Sequence, residues 1–245
     1  MRALDLDRLT PTRPPEGRRR SGSQRWEDLL FVHWRVDAAR MREVVPRELE
    51  LDLWDGQALV GVVPFVMKDI RLGWMPRGMG LNFLETNLRT YVHHRGEPGV
   101  YFFSLEASSW LAVQAARRGW GLPYFHARMA TTVGAERRYE TTRYGNRPVS
   151  LRVAYALGDA LAPSAPGSFE FFLLERYYLF ALQGGRVMKG HVHHVPYPAR
   201  VARIESLESD LIAAAGLAGV ETHPPVAVHY SEGVTVDVFG PWAVG

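Results

Sequence analysis

The segment from Ala58 to Met67 is a near-continuous run of apolar residues that is rich in valine. Its length and its β-branched composition predict a strand, and the lack of polar alternation predicts that this strand is buried on both faces. The fold is therefore expected to be built around a packed β-sheet. A chain of 245 residues can bury such a core without disulfides or metals.

Further strand-like segments follow along the chain, separated by glycine-containing turns. We predict strands at residues 29–36, 83–93, 100–107, 124–133, 138–144, 150–156, 177–182, 186–193, 226–230 and 234–239. The last two are expected to form a hairpin about Glu232-Gly233. Helices are predicted from Asp37 to about Pro46 and at residues 108–118, 169–174 and 206–215, with Leu111 on the inner stripe of the second. This pattern predicts an α+β fold that is mainly antiparallel β, in one domain from residue 24 to 245.

Residues 1–23 have a different composition from the rest of the chain. They contain Pro11, Pro14, Pro15 and the run Arg18–Arg20, which predict a disordered basic arm. Such an arm can touch nucleic acid, but a solvated tail is the favoured interpretation because no basic face interleaved with aromatic residues follows it.

Several classes of protein are excluded by what the sequence lacks. There is no cysteine, which excludes disulfides, thiol nucleophiles and metal–thiolate sites. No run of 18 apolar residues and no secretory signal is found, so we expect a cytoplasmic protein without a membrane span. Dinucleotide, P-loop, serine-hydrolase and zinc-protease motifs are also missing.

Polar side chains alternate along three of the predicted strands. Because residues two apart share a strand face, each strand carries one polar face. The three faces consist of Glu85, Asn87 and Arg89; Ser104 and Glu106; and Tyr124, His126 and Arg128.

Two interpretations of these polar faces remain open. An antiparallel sheet often has one face in water, and this explains the alternation without any function. If the faces instead converge inside a closed sheet, they form a pocket whose buried groups shift each other's pKa values. General acid–base chemistry needs groups of that kind.

Two other polar clusters follow later in the chain. His191 and His193 share a strand face with His194 opposite, but no nearby carboxylate completes a metal site, so a structural role is favoured over metal binding. Glu175 and Arg176 follow a predicted helix. They either reach a pocket or form a surface ion pair at the helix end.

The motifs that contain these residues resemble those of one family. The matching segments are Glu85-x-Asn87-x-Arg89-Thr-Tyr-Val, the segment 99–107, Leu122-Pro123-Tyr124, Glu175-Arg176-Tyr177, His194-x-Pro196 and the opening Trp26…His33-Trp34. In their order along the chain, they resemble the motifs of the YqjF-like family, domain of unknown function 2071. This family lies in the acetoacetate-decarboxylase-like superfamily. The resemblance implies a cone- or barrel-like antiparallel sheet with a central cavity and a few flanking helices.

The resemblance also implies a difference in chemistry. Acetoacetate decarboxylases have two adjacent lysines after a Gly-Phe-Pro motif. The first lysine forms the Schiff base, and the second lowers the pKa of the first. Here Gly121-Leu122-Pro123 is followed by Tyr124 and Phe125, and neither can form an imine. Lys68 and Lys189 lie outside the motif. Schiff-base decarboxylation is therefore disfavoured.

These observations predict a small-molecule pocket protein, or an enzyme that needs neither metal nor organic cofactor. We expect an anionic ligand with a carboxylate or carbonyl group. Arg89 or Arg128 would hold the anion, Glu85 would be the acid–base group, Tyr124 a phenol donor, and His126 would tune it. Asn87, Ser104, Glu106, Glu175 and Arg176 would complete the site. The alternative is a non-catalytic binding or interaction module with the same polar network. Assembly into a homo-oligomer stays open.

Overall fold

The computed structural model describes residues 6–76, 78–134, 136–146 and 148–244 of the chain. Strands dominate these residues. They are β1 (Gly22–Val36), β2 (Glu50–Leu51), β3 (Ala58–Leu72), β4 (Leu81–His94), β5 (Glu97–Ala107), β6 (Tyr124–Thr132), β7 (Arg137–Arg143), β8 (Ser150–Ala160), β9 (Tyr178–Gln183), β10 (Arg186–His193), β11 (Ala199–Ser209) and β12 (Ala227–Val244).

Three short α-helices lie among the strands: α1 (Ala38–Val44), α2 (Trp110–Trp120) and α3 (Phe169–Leu174). Each begins after a residue whose side-chain oxygen accepts a hydrogen bond from a backbone N–H of the first turn. These caps are Asp37, Ser109 and Ser168. Side chains of this kind satisfy N–H groups that have no partner within the helix.

The strands belong to one mixed, mainly antiparallel sheet that closes on itself. Strands β12, β1, β3, β4, β5, β9 and β10 are paired in succession, and β10 also pairs with β12. A second path leads from β5 through β6, β7, β8 and β11 back to β12. Strands β12, β1, β3, β4 and β5 are common to both closed paths. The predicted cone-like, mainly antiparallel architecture with few helices is confirmed.

The shared strands separate two apolar cores. Phe31, Val63 and Phe65 point to one core, and Val32, Val60 and Val62 point to the other. Strand β3 is therefore buried on both faces, as the run of valines in its sequence predicts. This arrangement leaves one face of each shared strand free to line a cavity while the other face packs into a solid core.

One prediction about chain reversal is wrong, and one about a helix holds only in part. The expected hairpin about Glu232-Gly233 is one continuous strand, because β12 stays paired with β1 on both sides of Gly233. A Cβ at Gly233 would lie 2.1 Å from the Trp26 carbonyl oxygen, so the glycine permits close approach of two strands. The helix predicted at residues 206–215 begins later than expected: residues 206–209 continue β11 and pair with β8, whereas residues 211–217 are helical. Sheet pairing overrides local helix propensity at residues 206–209.

The helix predicted at residues 108–118 is shifted to Trp110–Trp120. Leu111, expected on the inner stripe, is 63% exposed, and Val113 is the buried residue. Ser109 caps the helix in place of Ser108, which instead accepts a hydrogen bond from the Leu84 N–H on β4.

The disordered arm predicted at the N-terminus does not hold for residues 6–23. Pro11 is buried, and its carbonyl oxygen lies 2.8 Å from His191 Nε2. Arg18 stacks on Trp242, and Arg20 pairs with Asp237 over 2.7 Å. Partners for these arginines come from β12, which no local sequence pattern could reveal. Residues 1–5 lie outside the described residues.

In the part of the chain that the structure describes, no helix is both long enough and apolar enough to cross a membrane.

Candidate functional site

A cavity of about 490 Å³ lies inside the ring of strands that β12, β1, β3, β4, β5, β9 and β10 form. Its walls are mainly apolar and aromatic, and helix α2 and the segment 21–24 border it. The apolar aromatic side chains of the lining are Trp26, Phe31, Phe65, Phe83, Phe102 and Trp120. A mainly apolar cavity with a few convergent polar groups is typical of small-molecule sites.

One face of β4 supplies three polar residues of the lining. Glu85, Asn87 and Arg89 all face the cavity, at successive two-residue intervals. The same face begins at Leu81, which is 43% exposed at the rim. The face that the alternation predicts is thus a cavity wall and does not face water.

Glu85 and Tyr124 are joined inside the cavity. The Tyr124 hydroxyl donates a hydrogen bond of 2.9 Å to Glu85 Oε2. Burial raises the pKa of Glu85 to about 8, and the Tyr124 bond opposes that rise. Burial and the neighbouring Glu85 hold the pKa of Tyr124 well above its usual value. A carboxyl group that titrates close to neutral pH is suited to proton transfer.

Arg89 is a buried cation without a carboxylate partner among the described residues. It is 7% exposed and lines the cavity. Its Nη2 donates to the Leu173 carbonyl oxygen over 3.1 Å, and its guanidinium lies 5.5 Å from the Phe31 ring centroid and 5.8 Å from that of Tyr91. Its Nε has no hydrogen-bond partner. A buried guanidinium with a free donor is ready to bind an anion.

Arg176 also lines the cavity, but Asp52, which no sequence motif singles out, neutralises it. Its Nη1 donates to Asp52 Oδ2 over 2.6 Å, and Arg8 binds the same carboxylate with two bonds of 2.7 Å. Burial opposes ionisation of Asp52, yet Arg176 and Arg8 lower its pKa. Arg176 Nη2 stays without a partner. Asp52 lies in a turn-like segment far from Arg176 in sequence, so only the fold could identify it.

A neutral histidine and a tyrosine support the Arg89 end of the cavity. The Tyr91 hydroxyl donates to the Leu173 carbonyl oxygen over 2.8 Å, and His33 Nε2 lies 2.8 Å from the same hydroxyl. Burial lowers the pKa of His33 well below its usual value, so the ring is uncharged. A Cβ at Gly61 would lie 2.9 Å from the His33 ring. The sequence motifs include both His33 and Tyr91, but their pairing was not foreseen.

Ser104 and Glu106 do not line the cavity, which corrects their predicted role. They share a strand face, but Arg89 pairs with Phe102 whereas Leu88 pairs with Ser104, so one residue of β5 is extra at this point. Paired residues of neighbouring strands point to the same side, and the bulge therefore brings Phe102 and Leu105 to the cavity. Glu106 forms an ion pair with Arg143 on the other side.

His126 and Arg128 also lie away from the cavity. Strand β6 is outside the ring: it pairs with β5 from Tyr124 to His126 and with β7 from Ala127 onward. His126 packs against Tyr144 with ring centroids 4.7 Å apart, and Arg128 is exposed. Among the residues predicted on β6, only Tyr124 contributes to the cavity, because it lies at the start of the strand.

Glu175 is buried beside the cavity but does not line it. Its carboxylate accepts bonds from the Tyr177 hydroxyl at 2.6 Å and from the Tyr197 N–H at 3.1 Å. Burial raises its pKa. It therefore fixes the backbone around the cavity-lining Tyr197, a residue that the sequence did not single out.

The histidine cluster has a packing role. His194 lies between Tyr177 and Tyr197, with both ring centroids at 4.6 Å. His191 contacts the N-terminal segment through Pro11. Burial lowers the pKa of His191 and that of His194 to about 4. No group of three or more metal-ligating side chains occurs within residues 6–76, 78–134, 136–146 and 148–244.

Neither lysine of the chain lines the cavity. Lys189 Nζ binds the Glu97 carboxylate at 2.6 and 2.7 Å, close to Tyr178 and Trp242. Tyr124 places a phenol in the cavity at the position where the superfamily resemblance implies a lysine.

The sequence matches a family model over residues 23–235. That family is domain of unknown function 2071, described as an uncharacterized conserved protein. A relative, the uncharacterized protein YqjF of Bacillus subtilis (strain 168), is 35% identical over 211 residues, which cover 85% of this chain and 86% of the relative.

Solved structures of similar fold share little sequence with this chain. Acetoacetate decarboxylase from Legionella pneumophila has a TM-score of 0.66 at 15% identity, covering 95% of this chain and 91% of its own. An acetoacetate decarboxylase-like enzyme from Sphingomonas wittichii RW1 has a TM-score of 0.60 at 14% identity, covering 92% and 94%. The enduracididine biosynthesis enzyme MppR complexed with pyruvate has a TM-score of 0.56 at 13% identity, covering 95% and 91%.

Proposed function

Since the chain belongs to the YqjF-like family, domain of unknown function 2071, on an acetoacetate-decarboxylase-like fold, we propose that it binds a small carboxylate-bearing carbonyl compound in its cavity. There it transfers a proton at the carbon next to the carbonyl group. The reaction uses Glu85 and Tyr124 and forms no Schiff base with a lysine.

The unpaired charge of Arg89 carries this proposal. Burying a guanidinium away from water is costly unless an anion compensates it. Arg176 has such a partner in Asp52, whereas Arg89 has none among the described residues. The difference assigns the anion-binding role to Arg89, with the free Nη2 of Arg176 as a second donor. Arg128, the other candidate of the sequence, is exposed on β6.

The pair formed by Glu85 and Tyr124 supplies the chemistry. Ionised Glu85 takes a proton from the carbon next to the carbonyl group, which leaves an enolate and a neutral Glu85. Tyr124, whose pKa is raised, remains a phenol and donates a hydrogen bond to the enolate oxygen. Return of a proton from Glu85 to the same carbon regenerates both groups. In deuterium oxide, the proton on neutral Glu85 exchanges with a solvent deuteron before the return step, so the carbon gains deuterium in place of its hydrogen.

The comparison proteins support the ligand class. MppR, which shares the fold, is complexed with pyruvate, a small keto acid. The acetoacetate decarboxylases of the superfamily use a lysine to form a Schiff base, and no lysine lines this cavity. A buried glutamate and a buried arginine, with a phenol in the position of the lysine, favour proton transfer over imine formation.

The test combines binding with hydrogen exchange. Thermal unfolding of the purified protein is followed with keto acids, hydroxy acids and dicarboxylates. A ligand at 100 times its dissociation constant is expected to stabilise the protein by about 2.7 kcal/mol. Ligands that bind are then incubated in deuterium oxide, and loss of the hydrogen next to the carbonyl group is followed by proton NMR.

Three variants decide the outcome. Arg89→Ala is expected to abolish binding, and Glu85→Gln to abolish exchange while binding remains. Glu205→Gln changes an exposed glutamate on β11, outside the cavity lining, and is expected to leave both unchanged. Binding without exchange in the wild-type protein would contradict the enzymatic proposal and favour a non-catalytic binding module. Absence of any carboxylate ligand would contradict both.

A further inference from the structure

We infer that the ligand of this cavity is amphipathic: its carboxylate lies at Arg89, and an alkyl or aryl body extends from the reacting carbon toward the rim. The inference rests on the proposed function and narrows its ligand to keto acids that carry an apolar substituent. It follows from how polarity, side-chain size and exposure change along the cavity.

Polarity changes in one direction along β4. Outward from Arg89, the cavity face presents Asn87, Glu85, Phe83 and Leu81 in order. At about 3.4 Å per residue, the Cα atoms of Arg89 and Leu81 are roughly 27 Å apart along the strand. On this face of β4, the charged side chains lie in the inner half, and the outer half is apolar. A ligand whose head is held by Arg89 therefore meets only hydrocarbon walls beyond Glu85 on this strand.

Small residues on α2 keep the outer half of the cavity open. Ala112, Ala115, Ala116 and Gly119 all line it, at spacings that place them on one face of the helix. A Cβ at Gly119 would have no atom within 4 Å, so the space beside the helix is free. Trp120 lies at the end of this face and adds an aromatic wall.

The apolar lining continues to the surface. Leu72, Met75 and Leu81 line the cavity at its outer end, and both leucines are exposed. Exposed large apolar side chains at a cavity mouth favour contact with an apolar group. The rim also includes Arg71, whose guanidinium pairs with Asp69 over 2.9 Å. This charge is neutralised and does not compete with Arg89 for an anion.

The volume of the cavity also exceeds what a small keto acid needs. At about 490 Å³, the cavity lies within the range of roughly 300–1,000 Å³ that holds drug-sized ligands. Pyruvate would occupy only the inner end and would leave the aromatic walls in contact with water. An apolar substituent removes that water, which stabilises the complex by the hydrophobic effect.

The experiment measures dissociation constants for a homologous series by isothermal titration calorimetry. The ligands are pyruvate, 2-oxobutyrate, 2-oxohexanoate, 2-oxooctanoate and phenylpyruvate. Each methylene buried in the cavity is expected to lower the dissociation constant about fourfold. A series in which pyruvate binds as tightly as 2-oxooctanoate would overturn the inference.

A substitution on the cavity-lining face of α2 tests where the apolar part of the ligand lies. Ala116→Leu fills the outer half and is expected to weaken 2-oxooctanoate at least tenfold while pyruvate binding stays within about twofold of the wild type. Ala162→Leu, an exposed alanine outside the cavity lining, is the matched control and is expected to change neither. Equal weakening of both ligands by Ala116→Leu would contradict the assigned position of the apolar body.

The outcomes separate this inference from the proposed function. If every keto acid binds with the same affinity and Arg89→Ala abolishes binding, the carboxylate site stands and the amphipathic ligand is wrong. If no keto acid binds, or if Arg89→Ala leaves binding unchanged, the proposed function itself fails.

Discussion

The Tyr124 hydroxyl donates to Glu85 Oε2 over 2.9 Å within a largely apolar cavity, which joins the start of β6 to the middle of β4. Burial alone would keep Glu85 protonated over a wide range of pH, and the phenol bond offsets part of that effect. The pair thus combines a carboxyl group that titrates near neutral pH with a donor that stays protonated.

We predict that hydrogen exchange of the bound ligand depends on the ionisation of Glu85. Because the base is the carboxylate, the rate constant should rise about tenfold per pH unit below the pKa of about 8 and level off above it. Tyr124→Phe removes a hydrogen bond to the carboxylate and should move this transition to higher pH. The measurement is the exchange rate by proton NMR at saturating ligand. An unchanged transition in the variant would exclude the phenol from tuning Glu85.

Folding stability should report the same raised pKa. Between the ordinary value of 4.5 and about 8, the unfolded chain loses the Glu85 proton while the folded protein retains it. Wild type should therefore lose stability relative to Glu85→Gln as pH rises through this range, by up to about 1.4 kcal/mol per pH unit, with a constant difference above about 8. Urea unfolding of both proteins across pH measures the difference. A pH-independent difference would show that Glu85 has an ordinary pKa.

Arg89 should lower the stability of the ligand-free protein. Replacement of a buried unpaired charge by an apolar group of similar length removes its desolvation cost. We expect Arg89→Met to be at least as stable as wild type in urea unfolding, although it loses the bond to the Leu173 carbonyl oxygen. That oxygen keeps its bond from Tyr91. Destabilisation by several kcal/mol would indicate that Arg89 is structural, against its assignment as an anion site.

Asp52 should be far more important for stability than Arg8, the partly exposed arginine that binds it. Asp52→Asn leaves Arg176 buried without a countercharge and is expected to cost about 3–5 kcal/mol in urea unfolding. Arg8→Ala should cost about 1 kcal/mol or less, because the Arg8 side chain is partly exposed. The double variant Asp52→Asn, Arg176→Met is the control and should recover most of the loss. No recovery would mean that Asp52 acts through contacts other than Arg176.

Local patterns in the sequence predicted much of the sheet and the polar face of β4. The valine-rich run is a strand buried on both faces, and alternation at Glu85, Asn87 and Arg89 places three polar groups on one side. These conclusions depend on a two-residue period that every strand obeys. The family motifs added the cone-like fold, which no single segment encodes.

Only the tertiary structure decided which polar faces meet. A single extra residue in β5 moves Ser104 and Glu106 away from the cavity, and β6 pairs with β5 only from Tyr124 to His126 before it pairs with β7. Asp52 reaches Arg176 across 124 positions of sequence. Periodicity reports which side chains share a face of one strand, but strand register and long-range pairing are set by packing of the whole sheet. For that reason the sequence by itself determined the Glu85–Arg89 face, and only the folded chain determined its partners.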